Sequence, residues 1–319
     1  MIVLTQTEVR ELLDLDRLVD ALAEAHAALS AGEVSMPPRV AALVREREAL
    51  LGVMPAYSPS AGLACKLVTL FPQNRDRETH QAAIMVFDPA NGTPLALMDG
   101  TYVTATRTAA GSALATRLLA RDDARVLALV GTGVQARTHA RAIPRVRPIE
   151  EIRVAGRDPA KAAALADELG PPARAVALYE DAIRGADVVA ATTHAAEPVV
   201  RREWLDPGTH VNSVGLNPSG REVDAATVAE ATLVVESRDS ALAPPPAGAP
   251  ELAGVDPARV HAELGEIVAG TRPGRTSQDE LTLYKSVGVA VQDAAAAALV
   301  LSAARERGIG REVDLEGAQ

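Results

Sequence analysis

Aromatic side chains and cysteine are nearly absent from this sequence: of 319 residues, 2% are Phe, Trp or Tyr, and Cys65 is the one cysteine. A single thiol excludes an intrachain disulfide and suits a reducing, cytoplasmic setting. So few rings leave little for bases to stack on, and a formal net charge of −10 opposes a polyanion, so no nucleic-acid partner is expected. Long apolar runs are missing too. The most apolar stretch, Ser286 to Ala304, is mostly alanine and is interrupted by Gln292 and Asp293, so no membrane span is expected. Glu8, Arg10 and Glu11 stand where a signal peptide needs an unbroken apolar core. The histidines, His26, His80, His139, His194, His210 and His261, follow no metal-ligand spacing and no H-E-x-x-H pattern, so no metal site is expected. The absence of a G-x-S-x-G elbow disfavours hydrolysis.

What is present is 48% hydrophobic residues over a length that fits two medium domains. From Arg125 onward, short apolar runs alternate with longer periodic segments, the pattern of βαβ units around a parallel sheet. Strands are expected at Arg125 to Val130, Glu151 to Ala155, Ala175 to Leu178, Asp187 to Ala191, His210 to Val214, Thr232 to Val235 and Leu281 to Tyr284. A helix over Pro159 to Leu169 has Asp158 as N-cap, Pro159 at its first position and Gly170 just past its end. The proline-rich segment Ala241 to Pro250 is unfit for a helix interior or central strand and is expected as a surface loop. Before residue 120, helices over Thr7 to Ser30 and Thr101 to Ala120 flank antiparallel strands such as Ala41 to Arg45, Gly62 to Phe71 and Ala82 to Asp88, with Asp88-Pro89-Ala90-Asn91-Gly92 as a reversal. A final helix, Val287 to Arg307, is too apolar to stand alone and is expected to pack on this N-terminal unit. The expected fold class is therefore α/β: a Rossmann-type doubly wound sheet over residues 120–285, with an α+β domain formed by residues 1–119 and 286–319.

A dinucleotide's pyrophosphate needs backbone N–H groups and a helix N-terminus, with no side chain at the closest approach. Gly131-Thr132-Gly133-Val134-Gln135-Ala136 follows the first strand of the series and precedes a helix. Gly131 makes the tight turn, Gly133 the close approach, and Ala136 the small contact between helix and strand. This context points to a nicotinamide dinucleotide. At the end of the second strand, Ala155-Gly156-Arg157-Asp158-Pro159 places Arg157 where an acid would hold a ribose hydroxyl, while Asp158 serves as the cap. NADP(H) is thus expected over NAD(H), the alternative being that Arg157 is a solvated surface charge.

Three cations stand where apolar residues belong. Alternation along Gly62 to Leu70 puts Lys66 on one face with Ala64, Val68 and Leu70, and leaves Cys65 on the other as a packing residue. Arg107 shares a helical stripe with Gly111, Leu114 and Leu118. Arg39 follows the stiff Met36-Pro37-Pro38. Such cations either form buried salt bridges within an acidic protein or bind a substrate carboxylate, Arg39 and Arg107 as planar forks and Lys66 as a point charge.

Together these segments resemble the ornithine cyclodeaminase/μ-crystallin family over nearly the whole chain. The resemblance is carried, in order, by Met36-Pro37-Pro38-Arg39, Met54-Pro55-Ala56-Tyr57, the Lys66 strand running into Phe71-Pro72-Gln73-Asn74, Arg107-Thr108-Ala109-Ala110, the Gly131 turn, and Tyr284-Lys285-Ser286-Val287-Gly288. It implies use of NAD(P)(H) and action on an imino or amino acid carrying a carboxylate, by imine reduction, amino-acid dehydrogenation or cyclisation of ornithine with loss of ammonia. It also implies a homodimer formed through the N-terminal unit, which would be the substrate-binding and dimerisation domain. By the same resemblance Arg39, Lys66 and Arg107 grip the substrate carboxylate, and Met54 is a further substrate-binding residue. Thr108, Thr192, Thr193, Asn212, Val214, Ser286, Val287 and Gly288 fall in segments that line the cofactor pocket.

One departure bears on the reaction. Ornithine cyclodeaminases and archaeal alanine dehydrogenases resemble each other in an aspartate soon after the fifth strand's Val-Gly, whereas this chain has Asn217 after Val214-Gly215. An aspartate can take a proton and activate water against an imine; an amide can only orient a substrate nitrogen. The expectation is a ketimine reductase in which Lys66 supplies or holds the proton and Asn217 orients the nitrogen. The alternatives are a cyclodeaminase or amino-acid dehydrogenase with another base, and a non-catalytic cofactor-binding protein.

Overall fold

Two kinds of strand pattern in the sequence become two sheets, one in each of two units, Met1–Arg107 with Val289–Gln319 and Thr108–Gly288. The structure, a computed structural model, describes residues 1–315; the last four residues of the expected α+β domain, 316–319, lie outside the described residues. The division falls inside the helix Gly100–Leu119, not at its end. Hydrogen bonds in the second unit give the reason. The helix's Ser112 hydroxyl lies 2.8 Å from His139 Nε2, and Thr116 accepts from Asn212 Nδ2 at 2.9 Å.

In the first unit the strands Val40–Val44, Ala49–Ser58, Gly62–Leu70, His80–Phe87 and Pro94–Asp99 run antiparallel in sequence order, and Ile2–Leu4 adds in parallel beside the last of them. The helix Ala290–Arg307 packs on Ala49–Ser58 and Gly62–Leu70, and also on the helix Leu15–Ser30. Strand alternation decides what faces it: Met54, Lys66 and Ile84 sit side by side in register, and all three are buried. On the opposite face Val40, Leu51, Tyr57 and Leu67 are 64, 38, 39 and 41% exposed. The helix expected over Thr7 to Ser30 is two helices, Gln6–Leu12 and Leu15–Ser30. Leu13 is extended, and Asp14 accepts from Arg17 N to cap a new helix where the old one would have continued.

The second unit holds an eight-stranded parallel sheet in the order Val260–Glu263, Thr232–Val235, Thr282–Lys285, His210–Ser213, Val188–Ala191, Val126–Val130, Glu151–Ala155, Ala173–Ala175. Its strands read as continuous apolar runs because both faces are buried: Ala128 and Val130 join one core cluster, Leu127 and Leu129 the other. From Val126–Val130 the chain winds outward through two strands and then returns to the other side with Val188–Ala191. This makes a topological switch point beside the glycine turn.

Besides shifts of one or two residues at strand and helix ends, three segments differ from expectation. The strand expected at Ala175 to Leu178 lies earlier, at Ala173–Ala175, where its backbone pairs with Ile152, Arg153 and Val154. The segment Ala241 to Pro250 is exposed only at Pro244, Pro245 and Pro246; Gly248, Ala249 and Pro250 are buried and lead into the buried Glu251. The last helix begins at Ala290 rather than Val287, because Gly288 turns with φ +75° and the Val287 and Gly288 N–H groups donate to Glu236. Among the described residues no helix is long and apolar enough to cross a membrane, and no group of three or more His, Cys, Asp or Glu is arranged to hold a metal.

Candidate active site

In the first unit, Lys66 and Arg107 converge on one carboxylate that sequence reading did not single out. Lys66 Nζ donates to Asp293 Oδ2 at 2.7 Å, and Arg107 Nε to Asp293 Oδ1 at 3.1 Å. Asp293 stands in the first turn of Ala290–Arg307, where the helix N-terminus favours an anion. Arg107 Nη1 also donates to Gln292 Oε1 at 3.0 Å, and the Gln292 amide nitrogen lies 2.9 Å from His26 Nε2, which accepts because an amide NH2 only donates. All of these side chains are buried.

The salt-bridge alternative is therefore realised for Lys66 and Arg107, two cations that share one carboxylate. Arg39 is half-buried and adds to the positive field on Lys66. Burial pulls the Lys66 ammonium down to about 8; Asp293 opposes the fall, while Arg107 and Arg39 add to it. Asp293 stays below the usual carboxylate range although burial pushes it up, because Arg107 and Lys66 more than offset that push. His80, paired with Leu70 on the Lys66 face of the sheet, is held down to about 4 by burial first and then by Lys66 and Arg107. Two signals existed in the sequence: the Gln292-Asp293 pair interrupting an alanine-rich helix, and a histidine in strand alternation with Ala82 and Ile84. Cys65 is on the other face, and partial burial raises its thiol pKa.

In the second unit, Gly131 leaves its strand with φ +121°, and a Cβ there would lie 2.5 Å from Thr192 Oγ1. Only glycine fits that turn. Gly133 is the N-cap of the helix Val134–Ala142, which has no side-chain acceptor for its first N–H groups, and no atom lies within 4 Å of where its Cβ would be. An uncapped helix N-terminus behind an open glycine fits a pyrophosphate. Ala136 is fully buried at the helix–strand contact. Gly156 lies against Thr132, whose Cγ2 would be 2.6 Å from an added Cβ. Asp158 accepts from Ala160 N and Lys161 N as the cap, and Arg157 is exposed beside it. Val134 and Gln135 form the helix's first turn, Thr108 is buried, and Thr192 Oγ1 donates to Val130 O at 3.0 Å.

Buried glutamates that sequence reading missed fasten the loops at the C-terminal edge of this sheet. Glu222 accepts from Thr193 N at 2.6 Å, Thr193 Oγ1 at 2.8 Å, Ser213 Oγ at 2.7 Å and Gly215 N at 2.8 Å. Glu236 accepts from Ser286 Oγ at 2.8 Å, Val287 N at 2.8 Å and Gly288 N at 2.9 Å, so that turn's donors face inward. Glu251 accepts from Glu222 N at 2.7 Å and from Lys285 Nζ at 3.2 Å; Lys285 also donates to Gly215 O at 2.6 Å. Between Val214 and Glu222, Asn217 is half-buried. Its Nδ2 donates to Ala195 O at 3.1 Å and its Oδ1 accepts from Ser219 N at 3.1 Å, so the amide braces two loops.

A search among known proteins matches residues 1–308 to the ornithine cyclodeaminase/mu-crystallin family. The chain is 40% identical to ketimine reductase mu-crystallin of Mus musculus, with 84% of this chain and 85% of that protein covered. Among solved structures, Thermococcus litoralis Delta(1)-pyrroline-2-carboxylate reductase in complex with NADH and L-proline superposes with a TM-score of 0.93 at 35% identity, covering 98% of this chain and 100% of the other. An archaeal alanine dehydrogenase dimer with bound NAD gives 0.91 at 31% identity, covering 99% of each chain. With its Rossmann-type sheet and a family match spanning nearly its whole length, the chain belongs to the ornithine cyclodeaminase/mu-crystallin family.

Proposed function

We propose that this protein is an NAD(P)H-dependent reductase of cyclic or linear imino acids, of the Δ1-pyrroline-2-carboxylate and Δ1-piperideine-2-carboxylate type. The observation that carries this reading is the pair of buried cations in the first unit, Lys66 and Arg107, held on the one carboxylate of Asp293, with Arg39 adding to the positive field on Lys66. Buried positive charge of that size favours an anionic ligand. A planar substrate carboxylate suits the Arg39 and Arg107 guanidiniums. Met54, beside Lys66 in register, offers an apolar wall for a carbon skeleton. Lys66 holds the proton for the imine nitrogen, and Asn217, an amide, supplies no base. The reduced nicotinamide supplies the hydride.

Gly131, Thr132, Gly133, Val134, Gln135 and Ala136 would take the pyrophosphate, and Gly156 the adenosine ribose. Thr108, Thr192, Thr193, Val214, Ser286, Val287 and Gly288 would line the rest of the cofactor site. Arg157 is the exposed group at the end of the second strand while Asp158 is occupied as a cap, which supports NADP(H) over NAD(H). The exposed apolar sheet face around Val40, Leu51 and Leu67 supports a homodimer, the state in which the archaeal alanine dehydrogenase was solved. The lone half-buried thiol suits a cytoplasmic location.

The test is oxidation of NADPH and NADH against both cyclic imines at neutral pH, with ammonia release from ornithine followed in parallel. Imine-dependent oxidation, faster with NADPH and shifted toward NADH in Arg157→Asp, is the expected result. Ammonia without net cofactor oxidation would refute the reductase reading in favour of a cyclodeaminase.

A further inference from the structure

Lysine is scarce in this chain: Lys66, Lys161 and Lys285 stand against 29 arginines. Lys161 is exposed, whereas Lys66 and Lys285 are 2% and 1% exposed and each faces a carboxylate. Arginine supplies nearly all the other positive charge, so a lysine at a buried position calls for a reason beyond charge. An ammonium can release a proton near neutral pH, and a guanidinium cannot. At Lys66 that difference is accessible, because like charges crowd it. Arg107 reaches the same carboxylate from the helix Gly100–Leu119, Arg39 approaches from the segment before Val40–Val44, and the imidazole of His80 lies on the adjoining strand. From Leu15–Ser30, His26 closes the chain through Gln292. Among these groups Lys66 is the cation able to relieve the crowding by losing its proton, and Asp293 is the anion that opposes the loss.

We propose that Asp293 is a positioning residue for the imine reduction proposed above: it divides its two oxygens between Lys66 and Arg107 and so holds Lys66 in place as a charged proton donor to the substrate nitrogen. The proposal rests on that reading of the site. In the step, the imine carbon receives hydride from the reduced cofactor, which is oxidised. The C=N π pair becomes an N–H bond with the proton from Lys66 Nζ, and the neutral lysine is reprotonated by water. Asp293 also holds Arg107 through Nε at 3.1 Å. Because Lys66 and Asp293 lie 227 positions apart, the C-terminal helix completes the first unit's chemistry as well as its packing.

With three lysines, 15N-lysine labelling yields three Nζ signals, and Lys66→Arg and Lys161→Arg assign them. In the native protein the Lys66 signal should titrate below free lysine. In Asp293→Asn its midpoint should fall further, by about one unit or more, a tenfold change in proton affinity. The alkaline limb of kcat/KM for Δ1-piperideine-2-carboxylate with NADPH should move to lower pH by the same amount, and Asp293→Glu should restore the limb position with reduced kcat. An unmoved Lys66 titration in Asp293→Asn overturns the proposal. So does a limb that stays at its native pH, since it would belong to the imine. If the asparagine variant does not fold, a native Lys66 titrating like free lysine, or an Asp293→Glu limb displaced as far as loss of charge would displace it, rejects the role. Failure of the native enzyme to reduce any imine would remove the functional reading, while the titration would still decide whether Asp293 controls Lys66.

Discussion

Replacing Lys285 with methionine should cost the second unit about 3–5 kcal/mol, far more than the loss of one surface charge. The ammonium is 1% exposed and donates to Ser213 Oγ at 3.1 Å, Gly215 O at 2.6 Å and Glu251 Oε1 at 3.2 Å. Methionine fills most of the volume but removes all three bonds. Glu251 would keep only the Glu222 N–H on Oε1, because its buried Oε2 already lacks a hydrogen-bond partner. An unpaired buried carboxylate makes up the larger part of the loss, and the orphaned Gly215 carbonyl adds about 1–3 kcal/mol of its own. Adding Glu251→Gln removes the stranded charge while leaving an oxygen for Glu222 N, so the double variant should recover about 2 kcal/mol relative to the single one. Urea unfolding followed by circular dichroism reads both differences if the m-values match, and the single variant should melt roughly 10 °C lower at about 2–4 °C per kcal/mol. A single-variant loss below about 1 kcal/mol, or a double variant no better than the single, would show that Lys285 and Glu251 are not coupled as their geometry requires.

Gly131→Ala should weaken NADPH binding by at least tenfold and lower stability by about 1–3 kcal/mol, since its φ of +121° and the Thr192 contact admit no Cβ; fluorescence titration and thermal melting check both. Acid should destabilise the second unit below neutral pH. Burial holds His139 down to about 4 and His210 to about 3, so the unfolded chain binds their protons first. The stability they confer is whole above about 6.5 and is lost as pH falls toward those values, at most about 1.4 kcal/mol per pH unit for each histidine. His139→Gln should flatten that slope between pH 6 and 4.5 in urea melts, and an unchanged slope would contradict the burial argument. Leu51→Lys with Leu67→Asp, both on the exposed sheet face, should convert a dimer to a monomer in light scattering without altering the fold by circular dichroism.

The glycine turn was legible in the sequence because its constraint is local. A strand, a positive-φ turn and a helix start are encoded in consecutive residues, so Gly131, Gly133 and Ala136 stand where pattern reading puts them. Lys66 and Arg107 were legible for a related reason: strand and helix periodicities assign a face to each residue, and a charge on an apolar face shows as an exception, whereas Arg39 was marked by the stiff Met36-Pro37-Pro38 before it. Boundaries were less legible where a side chain far away in sequence decides them. Nothing near Val287 announces that Glu236 takes its N–H and delays the last helix to Ala290. Nor does the proline-rich run reveal that it ends by burying Glu251.

By itself, then, the sequence determined the two strand grammars, the nucleotide turn and the presence of misplaced cations, all of which follow from short-range periodicity and backbone sterics. Only the tertiary structure decided which acids meet those cations. Asp293 reaches Lys66 across 227 positions, and Glu222, Glu236 and Glu251 gather loops from separate strands. The physical reason is the cost of burying charge. A folded core accepts a lysine or a glutamate only when another part of the chain supplies its counterpart, and which part does so depends on how the helices and sheets pack.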